Sequence, residues 1–118
     1  MDYKLGNICH IEIPAGDLGK SKEFYGTLFN WTFQPMNETY EFFNDGVNGG
    51  ALDTDARPSR DGAILVLYCE DIDAKLGEIE KAGGKTVKGK TQIPGHGAHY
   101  AYFEDPAGNR MGLYAPAK

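Results

Sequence analysis

One pattern is written twice along this chain, and that repeat constrains its fold more than any other feature. Asp17 precedes Leu18, Tyr25, Leu28 and Phe29, an apolar set at helical spacing. Asp71 precedes Ile72, Leu76 and Ile79, at i, i+4 and i+7. Each aspartate suits an N-cap, where its carboxylate accepts from a free amide of the first turn. A short apolar strand stands before each cap, over residues 7–14 and 64–69. Gly26 weakens the first helix, Leu18–Phe29, and Gly83-Gly84 ends the second. Short strands follow each helix. In the first half they fall at residues 31–35, 39–44 and 49–53, with Asp45-Gly46 turning between the second and third. In the second half they fall at residues 86–88, 99–104 and 110–114, with a Gly/Pro loop over 92–98. Laying Asp17 over Asp71 superposes two βαβββ units, offset by close to half the length of 118 residues.

The hairpin of the second half is the clearest local signal. In FEDPAGNRMGLY, Phe103 to Tyr114, Asp105 suits the first position of a type I turn and Pro106 presets φ at the second. Gly108 can take the left-handed conformation that closes such a turn with a bulge. On the return strand Met111 and Leu113 share the apolar face, while Arg110, Gly112 and Tyr114 share the other. In the first strand Cys9, Ile11 and Ile13 form an apolar face, which makes Cys9 an inert core thiol. The opposite face carries Ile8, His10 and Glu12 and fits either solvent or the wall of a polar cleft.

Composition excludes several functions. Twelve Lys and Arg against seventeen Asp and Glu give a net charge of −5, with no basic stripe for a phosphate backbone, so nucleic acid is not a partner. The longest apolar run, residues 63–69, is far too short to span a bilayer, so no membrane partner is expected. The opening residues carry no signal-peptide pattern and the two cysteines fit reduced thiols; both point to a cytoplasmic chain. With 41% hydrophobic residues, seven Tyr, six Phe and one Trp, the chain can build one domain. The polar, breaker-rich DTDARPSRDG, residues 53–62, reads as a linker within it.

HIEIPAGDLGKSKEFYGTLFNW, EDIDAKLGEIEKAGGK and FEDPAGNRMGLY together resemble the vicinal oxygen chelate superfamily, which holds glyoxalases, bleomycin-resistance proteins and extradiol dioxygenases. The likeness spans nearly the whole chain and is nearest to its short glyoxalase-like branch. It implies an α+β fold of two βαβββ modules, module one over about residues 5–55 and module two over about 63–116, curled around a cleft and associated as a homodimer. Each half is small for independent stability, so the two curved sheets must bury surface on each other or on a second copy, which leaves a concave pocket for a small ligand.

The resemblance also implies four metal-ligand positions, typically His, Gln or Glu, one at each module's start and end. Carried onto this chain they fall on His10, near Gly50, on Leu65 (Ile64 if no gap is allowed) and on Gly112. Three of these cannot ligate, and one imidazole does not make a stable metal site. No cofactor and no metal are therefore expected, and no catalytic residue is assigned.

The reading from sequence is a protein that binds a small organic molecule in the cleft. His10 and Glu12 supply polar contacts; Tyr40, Phe42, Leu65, Leu67 and Tyr114 supply apolar ones; Gly112 supplies room. Each has a plainer reading: a lone histidine on a half-buried wall, a solvated glutamate, and core aromatics. His96 and His99 in GHGAH lack a helix to align them and read as loop and strand residues, and Lys85, Lys88 and Lys90 as a solvated sheet edge. Two alternatives remain: a divalent-metal-dependent lyase or dioxygenase using His10, and a purely structural dimeric module.

Overall fold

The two aspartates of the repeat act as N-caps in the computed structural model, which describes residues 3–58 and 61–117. Asp17 Oδ1 accepts from the Lys20 amide at 3.0 Å, and Asp71 Oδ1 from the Ala74 amide at 3.0 Å. Helix α1 is Leu18–Phe29 and ends at Asn30, whose left-handed backbone (φ 59°) returns its N–H to the Tyr25 carbonyl. Helix α2 is Ile72–Lys81. The strands are β1 (Ile11–Pro14), β2 (Thr32–Pro35), β3 (Tyr40–Asn44) and β4 (Gly49–Asp53), then β5 (Val66–Tyr68), β6 (Lys85–Gln92), β7 (His99–Glu104) and β8 (Arg110–Ala115). The chain divides into two compact units, one ending at Arg57 and the other beginning at Pro58.

Each unit holds one four-stranded sheet, ordered β1-β4-β3-β2 in the first and β5-β8-β7-β6 in the second. In both, the strand before the helix pairs in parallel with the last strand and the other pairs are antiparallel. That is the βαβββ unit twice, an α+β fold, as the repeat implied.

In the first unit the sheet face carrying Ile13, Phe43 and Leu52 is buried with Phe24 and Tyr25 of α1. Trp31 stacks on Tyr25 at 4.3 Å and on Phe43 at 4.5 Å between ring centroids. Each such contact adds about 0.5–1.5 kcal/mol beyond the area it buries. Glu41 on the same face is buried, with Lys22 Nζ of α1 3.3 Å from its Oε2. In the second unit Ile72, Leu76 and Ile79 of α2 are buried, as are Ala101, Phe103, Met111 and Leu113. The hairpin is built as its sequence dictated. Asp105 Oδ1 accepts from the Ala107 and Asn109 amides at 3.0 and 2.8 Å, and Gly108 stands at φ +96°.

Three strands differ from the sequence reading. The strand expected over 7–14 pairs only from Ile11, because its neighbour β4 runs no further than Gly49, beyond which the chain is already in the turn after Asn44. Residues 7–10 are consequently unpaired, and Cys9 is exposed rather than an inert core thiol; Cys69 is the buried one. Burial raises the Cys69 thiol's pKa, which keeps it protonated and unreactive. The strand expected over 64–69 is three residues, Val66–Tyr68. The strand expected over 86–88 is instead eight residues, an edge strand exposed along most of its length, so its sequence shows no apolar alternation.

Candidate functional site

Each sheet has a second face, away from the buried core residues, and its side chains follow from strand alternation. In the first unit this open face carries Glu12 on β1, Ala51 on β4, and Tyr40 and Phe42 on β3, since Glu12 pairs with Ala51 and Ala51 with Phe42. His10, just ahead of β1, shares the side of Glu12. The structure therefore brings together four residues singled out from sequence.

Three of them form a closed polar cluster. The Tyr40 hydroxyl donates to Glu12 Oε2 at 2.7 Å. His10 Nε2 lies 2.9 Å from Tyr40 Oη and 3.3 Å from Glu12 Oε2. The His10 and Tyr40 rings are nearly parallel, 11° apart, and Phe42 meets Tyr40 edge-on with centroids 5.6 Å apart. The cluster is open to solvent: the side chains of His10 and Glu12 are 39% and 50% exposed. The Tyr40 hydrogen bond, with a smaller part from His10, holds the Glu12 carboxyl below its ordinary pKa. The bond to Glu12, with smaller parts from burial and the charges of Glu12 and Asp53, pushes Tyr40 up to about 12. Glu12 is thus a carboxylate and Tyr40 a phenol across the neutral range.

Ala51 packs within this face, and the sequence reading did not single it out. Tyr40 and Glu12 sit on β3 and β1, with β4 between them. Ala51, fully buried in the row between Glu12 and Phe42, keeps that crossing short with its single methyl group. In a strand that reads Gly-Gly-Ala-Leu-Asp, nothing local sets this one small residue apart from the glycines before it.

In the second unit the open face carries Val66 and Tyr68 of β5, Gly112 and Tyr114 of β8, and Tyr100 and Tyr102 of β7. Leu67 is not on it. It pairs with the fully buried Leu113 on the helix side, and alternation puts Leu65 on that side too. The expectation that Leu65 and Leu67 line the ligand face is corrected accordingly: Val66 and Tyr68, 56% and 63% exposed, hold those places. A one-residue slip exchanges the faces of a strand. Two further cations join this face: Lys88 Nζ donates to Tyr100 Oη at 2.8 Å, and the Arg110 guanidinium lies 4.6 Å from the Tyr102 ring centroid. Lys88 thus has a tyrosine partner that a solvated edge would not have supplied.

The metal-ligand positions implied by the resemblance can be tested against these faces. Gly50 points to the helix side, where an added Cβ would lie 1.9 Å from the Ile11 carbonyl oxygen. On the open faces the facing pairs are Glu12 with Ala51 and Val66 with Gly112. Alanine, valine and glycine offer no donor side chain, and His10 Nε2 is taken up by Tyr40. Among the described residues, no three His, Cys, Asp or Glu side chains gather as a metal site. The residues present do not fit the family's metal.

His96 is exposed in the loop after β6, and His99 lies in β7 opposite Gln92 and Ala115. A pocket of about 480 Å³ opens in the second unit at the start of α2, between Glu70, Asp71, Asp73, Lys90 and His99. Its acid wall is what an N-cap and its neighbours supply, and it shares no residue with the His10 cluster. The cluster, with converging hydrogen bonds, is the better candidate site.

Comparison with known proteins bears on the family. The chain is 27% identical over 114 residues to a glyoxylase-like domain-containing protein of Didymella fabae, covering 88% of this chain and 89% of that one. It is 25% identical over 121 residues to a probable lactoylglutathione lyase of Vibrio cholerae, covering 90% and 88%. Its fold matches the crystal structure of a fosfomycin resistance protein of Listeria monocytogenes with a TM-score of 0.78, at 18% identity over 95% of this chain and 94% of that one. The family model for these proteins matches residues 7–113, and by that match, with the doubled βαβββ topology behind it, the chain belongs to the Glyoxalase/Bleomycin resistance protein/Dioxygenase superfamily.

Proposed function

We propose that this protein binds a small, partly apolar organic molecule without the metal of its family. The observation that carries the reading is the donor set. Where the family pattern needs four ligating side chains, this chain supplies one histidine, and that histidine's Nε2 is committed to Tyr40. What stands on the open face of the first sheet is instead a recognition surface: two polar groups, His10 and Glu12, on the face that also carries Tyr40 and Phe42. Recognition sites for small molecules combine apolar walls with a few placed polar groups in this way. In the second unit Val66 and Tyr114 are exposed apolar side chains on the open face of the other sheet.

The matching fold of a fosfomycin resistance protein supports small-molecule recognition as the reading for this chain. We place the chain in the cytoplasm, since a free exposed thiol at Cys9 suits a reducing compartment. A homodimer is the assembly that suits units this small. Among the described residues no helix is long and apolar enough to cross a membrane.

A thermal-shift screen of small aromatic and heterocyclic compounds tests the binding reading. Saturable stabilisation of the wild-type protein that weakens in His10→Ala supports it. A protein that no compound stabilises would favour the structural dimeric module instead.

A further inference from the structure

Three polar atoms on the first sheet's open face lie within mutual reach, and their protons can be counted. Tyr40 has one hydroxyl proton, and at 2.7 Å it is given to Glu12 Oε2. Tyr40 Oη can then only accept from His10 Nε2, 2.9 Å away. If Nε2 carried no proton, its lone pair would face both Oη and, at 3.3 Å, a carboxylate oxygen with nothing between them. The alternative of turning the Tyr40 proton to Nε2 would take the 2.7 Å hydrogen bond away from Glu12. A charge-assisted O–H···O⁻ bond is the stronger of the two choices.

From this count we propose that Glu12, acting through Tyr40, locks His10 as the Nε2–H tautomer, so that His10 meets its ligand through Nδ1, as an acceptor. This rests on the reading of that face as a binding site and specifies its ligand. In the neutral imidazole Nδ1 is a lone pair. The second acceptor is Glu12 itself, whose carboxylate has more acceptor sites than Tyr40 and His10 fill. Asp53, opposite Tyr40 in the sheet, adds a further negative charge. Acceptors and negative charge on the face that also carries Phe42 select a molecule with a hydrogen-bond donor on an apolar frame, an amine or a hydroxyl compound. They reject a carboxylate of the same shape. Tyr40 is a positioning residue in this scheme, and Glu12 is both positioner and contact.

The test is long-range ¹H–¹⁵N correlation spectroscopy of the imidazoles at a pH where they are neutral, with the exposed loop histidine His96 as internal reference. The expected result is His10 wholly in the Nε2–H form, beyond the population that His96 shows. In Glu12→Ala the Tyr40 proton is released to Nε2, and His10 shifts towards Nδ1–H. In Tyr40→Phe only the 3.3 Å contact remains, longer than a good N–H···O bond, and His10 relaxes towards the His96 value. Amide spectra report that each variant is folded. A wild-type His10 that matches His96, or that carries Nδ1–H, overturns the lock. A Tyr40→Phe variant that keeps the wild-type tautomer overturns the part given to Tyr40. Titration with 2-phenylethylamine, 2-phenylethanol and 3-phenylpropanoate tests the ligand class. The amine and the alcohol should move the His10 Nδ1 resonance and the carboxylate should not. A carboxylate that binds as well as the amine overturns the ligand class. Failure of all three to bind, with the tautomer locked, overturns the ligand class and counts against the binding reading, while the proton arrangement stands.

Discussion

The Tyr40 hydroxyl reaches Glu12 Oε2 across an intervening strand, at 2.7 Å. That one bond dominates the ionisation of both partners. It is the largest cause of the depressed Glu12 pKa and of the Tyr40 value of about 12. Replacing Glu12 by alanine is therefore expected to bring Tyr40 back towards its ordinary value of 10.0, seen as phenolate absorbance appearing at lower pH. Tyr40→Phe should raise the Glu12 carboxyl pKa, read by ¹³C NMR titration. The two shifts act on stability at opposite ends of the pH scale. The Tyr40 pKa is raised on folding, so its contribution is complete below pH 10 and is lost as pH rises through about 12. The Glu12 pKa is lowered, so its contribution is present above the ordinary carboxylate range and is lost as pH falls through its folded value. A Tyr40 that ionises with the exposed tyrosines would contradict the bond.

Gly50 and Gly112 sit at ends of the two repeats that the family pattern treats alike, and they should tolerate a methyl group very differently. A Cβ at Gly50 would lie 1.9 Å from the Ile11 carbonyl oxygen and 2.8 Å from Phe43 Cε2, so β1 and β4 would have to part. Gly50→Ala is expected to cost about 3 kcal/mol or more. At Gly112 the nearest atom is Val66 Cγ2 at 3.0 Å, the tip of a half-exposed side chain that can turn away. Gly112→Ala is expected to cost about 1 kcal/mol or less by the same measure of overpacking. Urea unfolding of both variants decides it; equal losses would contradict the two geometries.

Asp17 and Asp71 cap their helices through the same 3.0 Å bond to the third residue on. Asp17→Ala and Asp71→Ala should each cost about 1 kcal/mol, as loss of such a cap does. Denaturant midpoints would show it, and a cap whose removal is neutral would not be holding its helix start.

Much of this fold was legible because these features are local. Asp17 and Asp71, with the apolar stripes behind them, give both helices, and Asp105, Pro106 and Gly108 give the hairpin. What the sequence could not carry is which face a continuous apolar run presents. Residues 64–68 read Ile-Leu-Val-Leu-Tyr, without alternation, so nothing local distinguishes Leu67 from Val66. Pairing with β8 decides it, and that pairing is set 46 residues away, where Leu67 meets Leu113. Cys9 was misplaced for a similar reason, since the length of β1 is fixed by where β4 begins. In the site, His10, Glu12, Tyr40 and Phe42 could be chosen one by one from alternation. Their union into one cluster depends on Ala51, whose smallness has meaning only once β4 is known to lie between β1 and β3.

The most direct measurement of the central claim is the metal content of freshly purified wild-type protein, by mass spectrometry, beside that of His10→Ala. Affinity for a divalent ion comes from several deprotonated ligands converging at fixed distances. Ala51, Val66 and Gly112 offer no donor side chain on the open faces of their own sheets, so both proteins should carry far less than one metal ion per chain, and His10→Ala should weaken only small-molecule binding. Near-stoichiometric zinc, nickel, manganese or iron in the wild type, lost in His10→Ala, would contradict the account and make this chain a metalloenzyme of its family.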